Sequence, residues 1–273
     1  MKPITARTKL LGVIGNPIQH SLSPLMMNAA FDASGIDARY MAFEVSDLES
    51  AVSGARSLGF IGLNVTVPFK EKVLPFLGSL SPEAELSGAV NTIVFGGSPE
   101  GHSTDGIGAV TAIKERGLYL GDADVLILGA GGAAKAISFA IAEAGAEVTI
   151  ANRTVSKAES LSNALISAGY SSLYCSLSDI PLTKKYSLII NATSVGLNGE
   201  PSLLPDLPKY VYAMDLVYKE TDFIAKAKSA GAKIIPGLDM LLYQGAAAFE
   251  LWFDEKAPVD VMRSALEAKN VDH

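Results

Sequence analysis

Two groups of residues in this sequence have the types and spacing to do chemistry, and they lie in different parts of the chain. Near the middle, the apolar run Asp124-Val-Leu-Ile-Leu128 leads into Gly129-Ala130-Gly131-Gly132-Ala133-Ala134. This is the G-x-G-x-x-A pattern expected where a strand turns into a helix. Gly129 permits the tight turn, Gly131 removes the side chain where a pyrophosphate approaches, and Ala134 lets helix and strand pack closely. The first helical turn then offers free amides and a positive end to phosphates. The next apolar run, 147–151, ends in Asn152-Arg153-Thr154. An NAD enzyme usually has a carboxylate at this place, to accept from the ribose 2′-hydroxyl. Here a guanidinium can present paired donors to a 2′-phosphate, with Thr154 adding a hydroxyl and Lys157 a charge. The expected cofactor is therefore NADP, on Gly129, Ala130, Gly131, Gly132, Ala133, Asn152, Arg153, Thr154 and Lys157.

The first half carries short polar groups, each at a strand end or a helix start. They are Ser21-Leu-Ser23-Pro24, Asn64-Val-Thr66-Val-Pro68-Phe-Lys70, Ala89-Val-Asn91-Thr92 and Thr104-Asp105-Gly106-Ile-Gly108. Ligands of open α/β sheets collect at such places. A pocket of Ser, Asn and Thr with one lysine and one aspartate suits a small polyhydroxylated molecule. On spacing alone, Lys70 equally suits a solvated helix start, Asp105 an N-cap, and Asn64 and Asn91 the satisfaction of strand-end backbone.

The elements that must hold these residues alternate along the chain. Strands are expected at 10–14, 39–43, 62–65, 92–95, 123–128, 147–151, 187–191, 211–216 and 233–235, several of them continuously apolar, as strands buried on both faces are. Helices lie between them. Ser46 and Glu49 read as a capping box, Ser23-Pro24 as an N-cap followed by Pro, and Gly35 and Gly231 as C-terminal stops. The alternation predicts an α/β fold of two open-sheet domains with largely parallel sheets and a cleft between them. Residues 1–103 form the expected first domain, residues 104–237 a Rossmann-type second, and the helices of residues 238–273 pack back on the first.

The bulk composition excludes several functions. The 273 residues carry 22 basic and 29 acidic side chains, a net charge of −7, which argues against nucleic-acid or anionic-membrane surfaces. The single Cys175 cannot form an internal disulfide and reads as inert, and three scattered histidines offer no metal spacing. His20 beside Ser21 lacks a G-x-S-x-G elbow, so a serine hydrolase is not expected. The apolar stretch 125–151 is interrupted by Lys135, Glu143 and Glu147, and no signal-peptide core follows the charged start. A soluble cytoplasmic protein, monomer or homodimer, is the expectation.

Taken in order, the motifs resemble the shikimate dehydrogenase family over nearly the whole chain. They are G-N-P-x-x-H-S-x-S-P (15–24), N-V-T-x-P-x-K (64–70), A-V-N-T (89–92), T-D-G-x-G (104–108), G-A-G-G-A (129–133), N-R-T (152–154), N-A-T-S-x-G (191–196), D-L-V-Y (215–218) and Q-x-A-x-x-F (244–249). The resemblance implies reversible reduction of 3-dehydroshikimate to shikimate with NADP. It implies that Ser21 and Ser23 hold the substrate carboxylate with Tyr218 nearby, and that Asn64, Thr66, Asn91, Asp105 and Gln244 bind ring hydroxyls. Lys70 and Asp105 would be the catalytic pair flanking the hydroxyl that is oxidised. Asn191, Thr193, Ser194, Gly237 and Met240 would lie near the nicotinamide. The family often has His-Asn where this chain has Met27-Asn28, and Asn-Thr-Asp where it has Ser103-Thr104-Asp105. A quinate or aminoshikimate dehydrogenase and a non-catalytic NADP-binding module are the alternatives. Arg153 and the Ser21/Ser23 pair speak against quinate with NAD, and retention of Lys70 and Asp105 against an idle module.

Overall fold

The computed structural model describes residues 3–181, 183–204 and 208–270. The chain divides into two compact units, Met1–Gly108 with Leu241–His273 and Ala109–Met240. The divisions fall inside two helices, a few residues beyond positions 104 and 238, because a continuing helix leaves no break in composition to read.

The first unit is built on β1 (Lys9–Gly15), β2 (Ala38–Glu44), β3 (Phe60–Val65), β4 (Ser79–Leu80), β5 (Thr92–Phe95) and β6 (Pro99–His102), in the order β2-β1-β3-β5-β6-β4. Strands β1, β2 and β3 form the expected parallel block; β5 runs antiparallel to β3 and β6 to β5, while the short β4 pairs parallel with β6. The sheet is mixed because a short loop, Gly96-Gly97-Ser98, joins β5 to β6, and so short a connection only links antiparallel neighbours. Strands β4 and β6 escape sequence reading: one is two residues long, and Pro-Glu-Gly-His carries no apolar alternation. Ile14, Leu63, Val65 and Ile93 of the sheet pack with Leu48, Val52 and Ala55 of helix α2 (Leu48–Ser57). That helix is capped by Asp47, whose side chain accepts from the Ser50 amide at 3.2 Å, one residue after the Ser46 expected from the sequence.

Helix α1 (Ser23–Ala33) instead starts a residue early: Leu22 holds the cap place, and Ser23 lies in the first turn with Pro24. Such shifts are small, since Pro is tolerated anywhere in that turn. Gly35 and Gly231 terminate helices with left-handed φ of 66° and 78°, as their positions suggest. A short helix α3 (Pro82–Ser87) precedes β5, and α4 (Asp105–Glu115) follows β6.

The closing helices, α8 (Gly237–Phe253) and α9 (Val259–Asn270), bring aromatic residues to the first unit. Phe249 and Phe253 pack on Phe31 of α1, and the Trp252 indole donates to the Ile93 carbonyl at 3.0 Å. No helix among the described residues is long and apolar enough to cross a membrane.

In the second unit β7 (Asp124–Leu128), β8 (Glu147–Asn152), β9 (Ser172–Ser176), β10 (Lys185–Asn191), β11 (Lys209–Asp215) and β12 (Lys233–Ile235) all run parallel, in the order β12-β11-β10-β7-β8-β9. Helices α5 (Gly132–Glu143), α6 (Val155–Ser167) and α7 (Asp222–Ser229) are among the crossovers. Strand β9, not expected from the sequence, is an edge strand; its Leu173 and Tyr174 are exposed, so it lacks the buried apolar run that marks its neighbours.

Candidate active site

The polar groups of the first unit sit where its strands end. Two backbone bonds clasp the turns after β1 and β3: the Thr66 amide donates to Ile14 and the Asn16 amide to Val67, at 2.9 and 3.0 Å. A tight turn follows, in which the Phe69 amide donates to Thr66 at 2.8 Å and the Lys70 carbonyl accepts from Val90 at 2.8 Å. Lys70 thus lies in a turn, not at a solvated helix start. Its side chain is 15% exposed and its ammonium pairs with the Asp105 carboxylate, itself 5% exposed. Asp105 is the first residue of α4, and its side chain leaves the helix end to meet Lys70 and Asn91.

Asn91 organises this cluster. Its amide nitrogen lies 2.8 Å from Thr104 Oγ1, 3.0 Å from Asp105 Oδ1 and 3.2 Å from Gln244 Oε1. Its Oδ1 accepts from the Thr104 amide at 2.7 Å. Gln244 is anchored in turn by Nε2 donation to the Leu241 carbonyl at 2.8 Å. Asn64 donates both amide hydrogens, to the Asn91 carbonyl and to Thr92 Oγ1, each at 3.0 Å, and its Oδ1 accepts from Tyr40 at 2.5 Å. One acceptor lone pair is all that Asn64 has left to offer a ligand. Tyr40 lies in no motif, and Thr92, though the last residue of A-V-N-T, is given no role by it; only the fold places them beside Asn64.

Ser21 and Ser23 stand together at the start of α1, where Ser21 Oγ accepts from the Ser23 amide at 3.4 Å. Tyr218, exposed, belongs to the second unit, on the loop after β11. At the two departures from the family pattern, Met27 is fully buried in the core, and the Ser103 hydroxyl is buried with no hydrogen-bond partner among the described residues.

In the second unit the glycine turn lies at the carboxyl end of β7. Gly129 has φ of 116°, a conformation open to glycine but strained for other residues, and its amide donates to the Ala151 carbonyl at 2.9 Å. A Cβ on Gly129 would also come within 2.9 Å of Thr193 Cγ2. Gly131 caps α5 without a side chain, and a Cβ there would meet nothing within 4 Å. The space that this glycine leaves open is therefore not needed by the protein itself. Gly132 and Ala133 begin the helix, Ala130 is buried, and Ala134 is wholly buried against the sheet.

After β8, the Asn152 amide holds the Thr154 carbonyl at 2.9 Å. Thr154 occupies the N-cap of α6 without spending its hydroxyl there, and the first turn of that helix has no acidic residue. Arg153, Thr154 and Lys157 are all exposed, and their side chains have no partner among the described residues. Asn191 is buried at the end of β10, Thr193 and Ser194 follow on its loop, and Gly237 and Met240 lie in the start of α8.

A parallel sheet of order 3-2-1-4-5-6, with a glycine turn after its first strand, defines a dinucleotide-binding α/β unit. The other unit supplies an enclosed lysine–aspartate pair among amides and hydroxyls. Comparison with known proteins narrows this class. Residues 13–93 match the shikimate dehydrogenase substrate binding domain, residues 112–198 the shikimate / quinate 5-dehydrogenase family, and residues 237–267 the shikimate 5′-dehydrogenase C-terminal domain. A shikimate dehydrogenase (NADP(+)) from Methanococcoides burtonii is 44% identical over 268 residues, covering 94% of this chain and 97% of the relative. A crystal structure of a shikimate dehydrogenase in complex with NADP+ superposes with a TM-score of 0.89 at 39% identity, over 98% of this chain and 97% of that one. A 5-ketofructose reductase from a Gluconobacter strain is similar at a TM-score of 0.84 and 32% identity, over 97% and 99%. The chain belongs to the shikimate dehydrogenase family.

Its second unit fits NADP on its own geometry. Open space lies in front of Gly131, a helix end is left without a side-chain cap, and unpartnered cationic and hydroxyl groups follow β8, where a carboxylate would favour NAD.

Proposed function

We propose that this protein catalyses the reversible, NADP-dependent reduction of 3-dehydroshikimate to shikimate, on free metabolites in the cytoplasm, as a monomer or homodimer. The observation that carries the proposal is the Lys70–Asp105 ion pair, enclosed and braced by Asn91 within a family member's substrate unit. Oxidising a secondary alcohol requires removal of its hydroxyl proton, and the reverse reaction requires its return. Lys70 Nζ and the Asp105 carboxylate form a donor–acceptor unit suited to that exchange, Asp105 orienting both the ammonium and the hydroxyl through charge-assisted hydrogen bonds. Asn64, Thr66, Asn91 and Gln244 hold the ring hydroxyls, and Ser21 and Ser23, with Tyr218, receive the carboxylate.

The nicotinamide cofactor, when bound, supplies or accepts the hydride. Residues 129–133 hold its pyrophosphate. Asn152, Arg153, Thr154 and Lys157 hold the adenosine 2′-phosphate, and Asn191, Thr193, Ser194, Gly237 and Met240 border the nicotinamide half.

The test is NADPH formation from shikimate, quinate and a reduced keto-sugar in parallel, repeated with NAD. Shikimate with NADP is expected to give the highest kcat/KM. A site that pairs each ring hydroxyl leaves its own groups unsatisfied with a poorer match, so discrimination on the order of 10⁴-fold is within reach. Higher kcat/KM with quinate or the keto-sugar would reassign the substrate, and no turnover of any alcohol would leave a binding module.

A further inference from the structure

The D-L-V-Y motif is the one stretch of the second unit whose leading residue has no role so far, and the structure gives Asp215 an unusual position. It ends β11, in register with Asn191 of β10, which is in register with Leu128 of β7; Leu128 in turn faces Ala151 of β8. These four residues form one row along the carboxyl edge of the sheet, just where a dinucleotide lies across such a fold. The adenosine side is marked by Arg153 after β8, and the pyrophosphate by the glycine turn after β7. The loops after β10 and β11, on the opposite side of β7, are left to receive the other mononucleotide half.

Asp215 ties those two loops together. Its Oδ1 accepts from Asn191 Nδ2 at 3.1 Å and from the Val217 amide at 3.0 Å, and its Oδ2 accepts from Thr221 Oγ1 at 2.6 Å. With Nδ2 committed to the carboxylate and, at 3.2 Å, to the Val195 carbonyl, Asn191 turns Oδ1 the other way, where it accepts from the Thr193 hydroxyl at 2.7 Å and the Thr193 amide at 3.2 Å. A flipped amide would set oxygen against oxygen. Thr193 then accepts from the Val195 amide at 3.2 Å, and its methyl lies beside Gly129 of the glycine turn. On the other flank, a Cβ on Gly237 would collide with the Asp215 carbonyl, so the start of α8 is seated directly on this residue.

Asp215 is 1% exposed, and burial pushes its carboxyl above the ordinary value against the pull of its three donors. A carboxyl group at such depth is a poor choice for packing alone. Both of its oxygens accept, and so it fixes the directions of the Asn191 side-chain amide, the Val217 amide and the Thr221 hydroxyl.

We propose that Asp215 is a positioning residue for the nicotinamide half of the cofactor: by fixing the Asn191 amide, it shapes the 192–196 loop and the start of α8 into one preformed seat. This rests on the NADP reading above, and it is tested by binding rather than by turnover. NADP+ and adenosine 2′,5′-bisphosphate, which carries only the adenosine half, are titrated calorimetrically into wild type, Asp215→Asn, Thr221→Val and Thr221→Ser. Asp215→Asn keeps the shape but faces a donor with a donor, and should weaken NADP+ about tenfold, as loss of a buried acceptor does, while the bisphosphate changes less than about twofold. Thr221→Val should move NADP+ in the same direction by about threefold. Thr221→Ser, which keeps the hydroxyl, should restore wild-type binding.

Should Asp215→Asn not fold, the Thr221 pair carries the comparison. Equal weakening of both ligands, or unchanged NADP+ binding in Asp215→Asn and Thr221→Val, would overturn the proposal. Wild type that binds NADP+ but oxidises no shikimate refutes only the substrate assignment, and the binding comparison still decides the role of Asp215. Wild type that binds no NADP+ overturns both.

Discussion

The lysine–aspartate cluster of the first unit and the arginine end of the second hold their polar groups in opposite ways. Asn64 and Asn91 are both buried and bonded to several partners, and Lys70 is already paired with Asp105. Arg153, Thr154 and Lys157 project outward, unpartnered among the described residues. A small substrate must be distinguished hydroxyl by hydroxyl, so its donors and acceptors need to be fixed beforehand. A phosphate needs charge and donors, which flexible side chains and free helix amides supply without rigid placement. The difference predicts that damage to the first region falls on turnover and damage to the second on cofactor affinity.

The sharpest way to break that contrast is Lys70→Ala. Turnover should fall on the order of 10²- to 10⁴-fold, the range for losing a proton-transfer group, with NADP+ affinity nearly unchanged. Steady-state kinetics beside calorimetric titration of NADP+ measure both, and unaltered kcat would remove the lysine from the chemistry. Arg153→Ala should do the converse. Loss of charge-assisted bonds to the 2′-phosphate should raise the NADP+ dissociation constant by about 10- to 100-fold, with little change for NAD. Equal losses for the two cofactors would defeat the assignment of that arginine.

Tyr40→Phe probes the rigidity of the first site without touching its ionic pair. It leaves the buried Asn64 oxygen without its donor, and should cost about 1–3 kcal/mol of stability and raise the KM for shikimate severalfold. An unchanged melting temperature and KM would show that Asn64 is held without the tyrosine.

The smallest effect expected is at Glu200, on the loop after β10. Its own backbone amide, then the backbone and side-chain donors of Asn198 and the Gly196 amide, lower its carboxyl from 4.5 to about 2. A carboxylate whose folded value is depressed stabilises the fold fully above its unfolded value, and that stabilisation fades as pH falls through the interval from 4.5 to about 2. The melting-temperature gap between wild type and Glu200→Gln should therefore be present at neutral pH and close below about pH 4.5. A gap independent of pH would mean that the charge is not what orders the turn.

The glycine turn, the arginine after β8 and every strand of the second sheet but β9 are legible in the sequence because each depends on neighbours within a few residues. A strand buried on both faces reads as an apolar run, and a turn that needs positive φ reads as glycine. The mixed pairing of the first sheet, the edge strand β9 and the two-residue β4 are not legible in this way, since short or exposed strands carry no such signature. The cap of α2 falls one residue from Ser46 because Ser and Asp are both favoured N-cap residues; the structure uses Asp47.

Residue types and their order thus determined the family, the cofactor preference and which side chains could do chemistry. Only tertiary structure decided how they are joined. Asn91 meets Gln244 across 153 positions, Tyr40 meets Asn64 across 24, and Asp215 meets Asn191 across 24. No periodicity encodes such pairs. They arise where strands and helices from distant parts of the chain are packed together, and a buried donor or acceptor there must find its partner within the fold or pay the cost of leaving water unpaired.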